Sequence, residues 1–338
     1  MLKKLNYIWL PLALSIFGVY AIQRGFATFA KASDFAIPHM KDALSIYFLV
    51  MSLAVLVGGY FLDNYNSRKV LLAASAMGVA GIALVPYSAL GFGLLFGSAA
   101  ALIKLGPYSS PMKLFDKKEA LMIAPQAAAK NIGGAAFILF LGAGLKTLGW
   151  EMSSIILACF FAGVGVMSYF MVPDDKIEGW KWDIFKCLIK EPIFWMLAVY
   201  FFLMCGIYYI AIMQFYPALV ASGFSKQSAM TTLAVSYLAA GALRFFVAWI
   251  GEQEIWNGIY LRLPLMWFGT IGMVPCIFLT NSFPISSLIL FTFMSSIHTP
   301  NYWAYCKDIW GPRYISTIVS LGFFFMYLGA GVMYGKWM

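Results

Sequence analysis

The sequence predicts an all-α membrane protein of two pseudo-symmetric helical bundles, six spans followed by five. Three observations predict it. The composition is 62% hydrophobic and only 11% charged, with a mean hydropathy of +0.82, whereas a soluble globular domain is about one quarter charged. The apolar residues fall in runs long enough to cross a bilayer core, which takes ~20 helical residues. One polar, basic stretch divides those runs into two groups.

Taken in order, the spans are expected near 7–30, 43–62, 70–87, 89–108, 120–145 and 150–172, then 193–220, 228–250, 263–280, 284–305 and 314–335. The first run is too long for a cleaved leader and has no small-residue cleavage site after it, so it reads as a span. The implied organisation is an N-terminal six-helix bundle (1–173), a cytoplasmic amphipathic linker (174–192) and a C-terminal bundle of five helices (193–338). In the linker, Trp180, Ile184 and Leu188 share a helical face with lysines around the others. That suits a basic helix on the cytoplasmic leaflet, or equally a solvated tether. The halves read as weak repeats: Gly144-Leu-Lys-Thr-Leu-Gly-Trp150 closes the fifth span and Gly331-Val-Met-Tyr-Gly-Lys-Trp337 the eleventh. A sixth span follows the first of these turns, and a twelfth helix is expected to be absent after the second.

Basic residues in the loops set the orientation. With the N-terminus inside, fourteen fall on the cytoplasmic side (Lys3, Lys4, Arg68, Lys69, Lys113, Lys117, Lys118, Lys176, Lys181, Lys186, Lys190, Arg262, Lys307, Arg313) and five outside (Lys31, Lys41, Lys146, Lys226, Lys336). The net charge of +9 therefore reports membrane topology and not a nucleic-acid partner. The five cysteines make no CxxC or Cys/His cluster, so no disulfide framework, metal or cofactor is expected.

The charges inside the spans carry the functional information. All fourteen acidic residues fall in loops or at span ends, while Arg24, Lys104, Lys130 and Arg244 lie within spans. A guanidinium in the bilayer core costs about 2.5–3.5 kcal/mol on insertion scales, and it cannot shed its proton. Tyr20, Arg24 and Thr28 are spaced i, i+4, i+8 and share one face of the first span. Buried charges are normally paired, so an anionic ligand is the natural missing partner, gripped by Arg24 through two hydrogen bonds. Lys130, among the small residues of Ala127-Ala-Ala-Lys-Asn-Ile-Gly-Gly134, reads as a substrate contact or as a neutral packed lysine. Lys104 reads as a further contact or as a snorkelling side chain. Arg244, two turns from the cytoplasmic end of its span, reads as a gate residue.

From the second half, His298 in Ser295-Ser-Ile-His298-Thr-Pro300-Asn301-Tyr302 is the histidine within a span, and it reads as a proton carrier or as a structural histidine. Pro300 should kink its helix and free a carbonyl. Asn301, Tyr208 and Gln214 complete the expected binding set.

Between the second and third spans stands Gly58-Gly59-Tyr-Phe-Leu-Asp63-Asn-Tyr-Asn-Ser-Arg68-Lys69. This resembles the loop signature of the major facilitator superfamily. The resemblance implies two bundles that rock about a midplane site, with Asp63, Arg68 and Lys69 clamping cytoplasmic helix ends as gating residues; ordinary positive-inside charge is the alternative. Tyr20-x-x-x-Arg24, Ile37-Pro38, Asn131-Ile-Gly-Gly and Phe215-Tyr-Pro217-Ala-Leu-Val-Ala-Ser-Gly223-Phe-Ser are similar to the anion:cation symporter and organophosphate antiporter branches. The sequence departs from the symporters by placing Lys104 where they carry a glutamate before the proline of the fourth span. It departs from the antiporters by lacking an arginine in the seventh.

The expected function is a secondary transporter of a small organic anion, by symport, exchange or facilitated diffusion, with a proton or cation as the coupling partner. It would sit as a monomer in the lipid bilayer of a cell membrane, the bacterial inner membrane, with its N-terminus cytoplasmic. Two other readings compete. A scaffold or sensor would bind without flux. A membrane acyl- or phospho-transferase would use His298 and Asn301, though no GxSxG, HExxH or acidic metal cluster supports an enzyme.

Overall fold

The computed structural model describes residues 2–29, 40–65, 67–85, 87–114, 119–172, 182–251, 259–311 and 315–337. Ile37-Pro38, linker residues 173–181 and the acids Asp34, Asp116, Asp174, Asp175, Glu178, Glu252 and Glu254 lie outside them. The described residues are helical almost throughout. Helices α1 (Leu2–Phe29), α2 (Met40–Asn64), α3 (Ser67–Leu84), α4 (Ala89–Leu114) and α5 (Glu119–Met171) precede the short α6 (Trp182–Leu188). After it come α7 (Pro192–Ala221), α8 (Lys226–Gly251), α9 (Ile259–Leu279), α10 (Pro284–Ser296), α11 (His298–Trp310) and α12 (Ile315–Trp337).

Two expected spans merge and one divides. Helix α5 runs 53 residues but turns at Gly149, whose φ of 71° is open to a residue without a Cβ. Its two arms are the expected fifth and sixth spans. The expected tenth span is split at Ile297 into α10 and α11. Pro300 in the first turn of α11 has no N–H for the carbonyl of residue 296, which accounts for the break. Nearby carbonyls are taken by side chains: Asn301 Nδ2 donates to Ile297 at 2.8 Å and Arg244 Nη2 to Ser295 at 3.3 Å.

Helix α1 packs on α5, α2 on α4, and α3 on both α4 and α5; after α6, α7 packs on α12 and α9, and α9 on α10. The two groups meet along two seams, α5 on α8 and α2 on α12. Glycine permits the closest approaches. A Cβ at Gly133 of α5 would overlap the Phe17 carbonyl of α1, and one at Gly329 of α12 would overlap the Phe202 carbonyl of α7.

The surface inverts that of a soluble protein. Phe170, Phe278, Ile289 and Leu53 are 74%, 71%, 66% and 64% exposed, while Arg24 and Lys104 are fully buried. Outward apolar side chains and inward charges belong to a protein solvated by lipid. Among the described residues, Ala43–Leu62, Met152–Met171, Pro192–Ala221, Lys226–Ile250 and Arg262–Leu279 are long and apolar enough to cross a membrane. In the linker, Leu188 is buried and Phe185 and Ile189 pack against the core, leaving Lys186 and Lys190 exposed. The apolar face of α6 is thus spent on the protein's own core.

Candidate functional site

Helix α1 delivers three polar side chains to the centre, Tyr20 and, one turn further on, the neighbours Gln23 and Arg24. Each meets a different helix. Arg24 Nη1 donates to Asn131 Oδ1 on α5, and its guanidinium lies 5.8, 5.2 and 5.1 Å from the ring centres of Tyr20, Tyr208 and Tyr237. Gln23 Oε1 accepts from Lys104 Nζ on α4 and from the Tyr47 hydroxyl on α2 at 3.3 Å, while its Nε2 donates to the Tyr209 hydroxyl on α7. Tyr20 shares a hydrogen bond with Tyr327 on α12, 3.2 Å between hydroxyls. The stripe on α1 therefore ties both helix groups together.

Beside this network lies a narrow cavity, lined from the first group by Tyr20 and Lys130 and from the second by Tyr208, Arg244, His298 and Tyr302 among others. It holds about 20 Å³, room for roughly one water molecule. The Lys130 ammonium stands 4.7 Å from the ring centre of Tyr20 and 5.5 Å from that of Tyr208. Arg244, Arg24 and Lys104 are the cations near enough to act on it. Arg244 reaches from α8 to the Ala127 carbonyl of α5 at 3.2 Å as well as to Ser295 of α10. His298 Nδ1 and the Tyr200 hydroxyl are 2.6 Å apart. No acidic side chain lines the cavity among the described residues. The site is positive and aromatic, a place where a small anion would meet charge from both sides.

The profile of the Major Facilitator Superfamily matches residues 8–334. The chain belongs to the Major Facilitator Superfamily. Its structure is similar to the crystal structure of the human organic anion transporter MFSD10 (TETRAN), with a TM-score of 0.65 over 98% of this chain and 93% of that one. At 13% identity the likeness is one of fold. No curated protein matches the sequence. As a member of this superfamily, the chain is a multi-pass membrane protein of a transporter family.

Within that superfamily frame, the residues expected at the site divide into three sets. Arg24, Tyr20, Lys104, Lys130, Tyr208 and His298 are brought together. Lys104 is fully buried and does not snorkel, because Gln23 holds its ammonium and the Tyr20 and Tyr327 rings flank it at 4.2 and 4.5 Å. Asn301 is buried one turn beyond His298, but its amide is spent on the break between α10 and α11. Gln214 is half-buried and stands outside both the network and the cavity lining. Arg244, read as a gate residue from its position in the span, lines the cavity instead, because the face of α8 that carries it is the face packed on α5.

At the loop signature, Arg68 Nε donates to the Val172 carbonyl at 2.6 Å, where a cation caps the C-terminal end of α5. Lys69 is exposed, and the Asp63 side chain lies outside the described residues. The opposite halves of the network were not assigned from sequence. Asn131 stands out in the sequence only as the neighbour of Lys130 and the first residue of Asn131-Ile-Gly-Gly, and nothing local marks Tyr47, Tyr237 or Tyr327 among nineteen tyrosines.

Proposed function

We propose that this protein is a secondary active transporter that carries a small organic anion across a cell membrane by alternating access. The observation behind this reading is a cavity lined by Lys130 and Arg244, with Arg24 and Lys104 in the network beside it and no acid in its described lining. Such a cleft concentrates anions before binding. The structural neighbour MFSD10 is an organic anion transporter, which supports the reading. A cavity of about 20 Å³ admits no organic solute as it stands. Loading requires the two helix groups to part along the α5–α8 or α2–α12 seam, the rocking that superfamily membership implies. Arg24 and Lys130 would hold the solute, Arg244 would answer them from α8, and His298 is the candidate for a coupling proton. Arg68, Lys69 and Asp63 would gate the cytoplasmic side. The basic-residue bias favours a cytoplasmic N-terminus, and we place the protein as a monomer in a bacterial inner membrane.

A thermal-shift screen of the purified protein against mono- and dicarboxylates, sugar phosphates, inorganic phosphate, nucleosides and amino acids tests the reading, with uptake into proteoliposomes as the second arm. At least one anion should raise the melting temperature and be taken up, and Arg24→Ala should abolish both effects. Stabilisation by cations or neutral amines alone would sink the assignment. Binding that persists without uptake would turn the reading to a scaffold or sensor.

A further inference from the structure

The residues lining the central cavity have a second character besides their charge. Five of them are tyrosines: Tyr20, Tyr208, Tyr209, Tyr302 and Tyr327. Two more, Met204 and Met326, are methionines. Neither phenylalanine nor tryptophan is in the described lining, although the chain has 30 phenylalanines against 19 tyrosines. Tyrosine combines a flat apolar face with a hydroxyl that donates and accepts hydrogen bonds. Methionine adds a polarisable sulfur that settles against ring edges. Walls of this kind fit a flat, π-rich body better than a flexible aliphatic chain.

Charge enters this lining at a defined place. Lys130 of α5 brings its ammonium to 4.7 Å from the ring centre of Tyr20 and 5.5 Å from that of Tyr208. Among the described residues, no side chain or carbonyl accepts a hydrogen bond from it. Its N–H groups can therefore turn to a carboxylate. Arg244, in the same lining, donates to the Ala127 and Ser295 carbonyls. Tyrosine rings also attract cations, but here the Tyr20 and Tyr208 rings already have the Lys130 ammonium beside them, and a cationic solute would meet it head on. Tyr208, Tyr209 and Met204 lie on α7, Tyr302 on α11, and Tyr327 and Met326 on α12. The anchor thus comes from the first helix group and most of the aromatic wall from the second.

We propose that the solute is an aromatic carboxylate, its acidic group on the Lys130 ammonium and its ring among the tyrosines and methionines of α7, α11 and α12. This rests on the anion reading above and narrows it. The ring enters when the helix groups part, because the closed cavity holds only about 20 Å³.

Thermal shift of the purified protein gives apparent affinities for benzoate, 4-hydroxybenzoate, phenylacetate and indole-3-acetate. Two compounds serve as controls: cyclohexanecarboxylate carries the acid on a saturated ring of similar size, and benzamide carries the aromatic ring without the charge. Uptake of labelled benzoate into proteoliposomes, with the same compounds as competitors, gives the transport arm. At least one aromatic acid should half-saturate at about five- to tenfold lower concentration than cyclohexanecarboxylate, the scale of one or two aromatic contacts. Tyr208→Leu should bring that ratio close to one, and Tyr208→Phe, which keeps the ring and guards against a folding artefact, should retain most of it. Lys130→Gln should weaken every acid and leave benzamide unaffected. Failure of every aromatic acid to bind would overturn the proposal. So would cyclohexanecarboxylate binding as tightly as the best aromatic acid, or a ratio unchanged in Tyr208→Leu. In each of these cases, aliphatic carboxylates or phosphates that stabilise the protein leave the anion reading standing. If benzamide or cationic solutes stabilise the protein and no anion does, the anion reading itself fails and takes this inference with it.

Discussion

Gln23 has an unusual workload for an uncharged side chain. Its carbonyl oxygen accepts from Lys104 and Tyr47, and its amide donates to Tyr209, so one residue sets the positions of groups on α2, α4 and α7. Replacing it removes the acceptor that holds a buried ammonium. Gln23→Leu should therefore cost about 2–3 kcal/mol, visible as a lower melting temperature in detergent. Gln23→Glu should keep the acceptor and lose the donation to Tyr209, with a smaller fall in melting temperature. The Tyr20–Tyr327 pair is a simpler contact. Tyr327→Phe should cost about 1 kcal/mol, and a double-mutant cycle with Tyr20→Phe should show that the two losses are not additive. Additive losses would mean that the hydroxyls do not interact.

Among the elements, glycine decides how near the long helices come. Gly133 brings α5 onto α1 beside Phe17, and Gly329 brings α12 onto α7 beside Phe202, in both cases with no space for a Cβ. Gly163, on the second arm of α5, has nothing within 4 Å of where a Cβ would stand. The expected order of damage follows: Gly133→Val and Gly329→Val should each destabilise by about 2–4 kcal/mol through overpacking, while Gly163→Val should stay close to the parent. Thermal melts of the three variants check this, and equal effects would show that the close approaches contribute nothing. The break between α10 and α11 is the other element-scale feature. It places His298 in the cavity lining while Asn301 and Arg244 satisfy the carbonyls beside it.

For the whole molecule, the two seams matter more than any single helix, because transport by rocking requires them to open. The α5–α8 seam gives a direct handle. A Cβ at Gly241 would lie 3.9 Å from the Ala128 Cα, within reach of a disulfide. In a background without the five native cysteines, Ala128→Cys with Gly241→Cys should crosslink on oxidation, stop uptake and recover it on reduction. Uptake that continues through the crosslink would refute movement at this seam.

How much of this was legible in the sequence follows from the range of each signal. Hydropathy and helical spacing are local, so the spans, the polar linker and the four intramembrane cations could be read from runs of about twenty residues. The break at Pro300 and the turn at Gly149 are local as well, since each comes from the chemistry of one residue. The opposite fates of Arg244 and Gln214 could not be read that way. Both are polar residues within apolar helices, and only packing decided that one faces the cavity and the other does not. What the sequence determined by itself is the class of molecule, a helical membrane protein with four basic residues inside its spans. What the tertiary structure alone decided is that those charges converge, with Tyr327 closing on Tyr20 from 307 residues away. The reason is geometric. Each helix has several faces, and which one turns inward is fixed by the neighbours it packs against, not by its own residues.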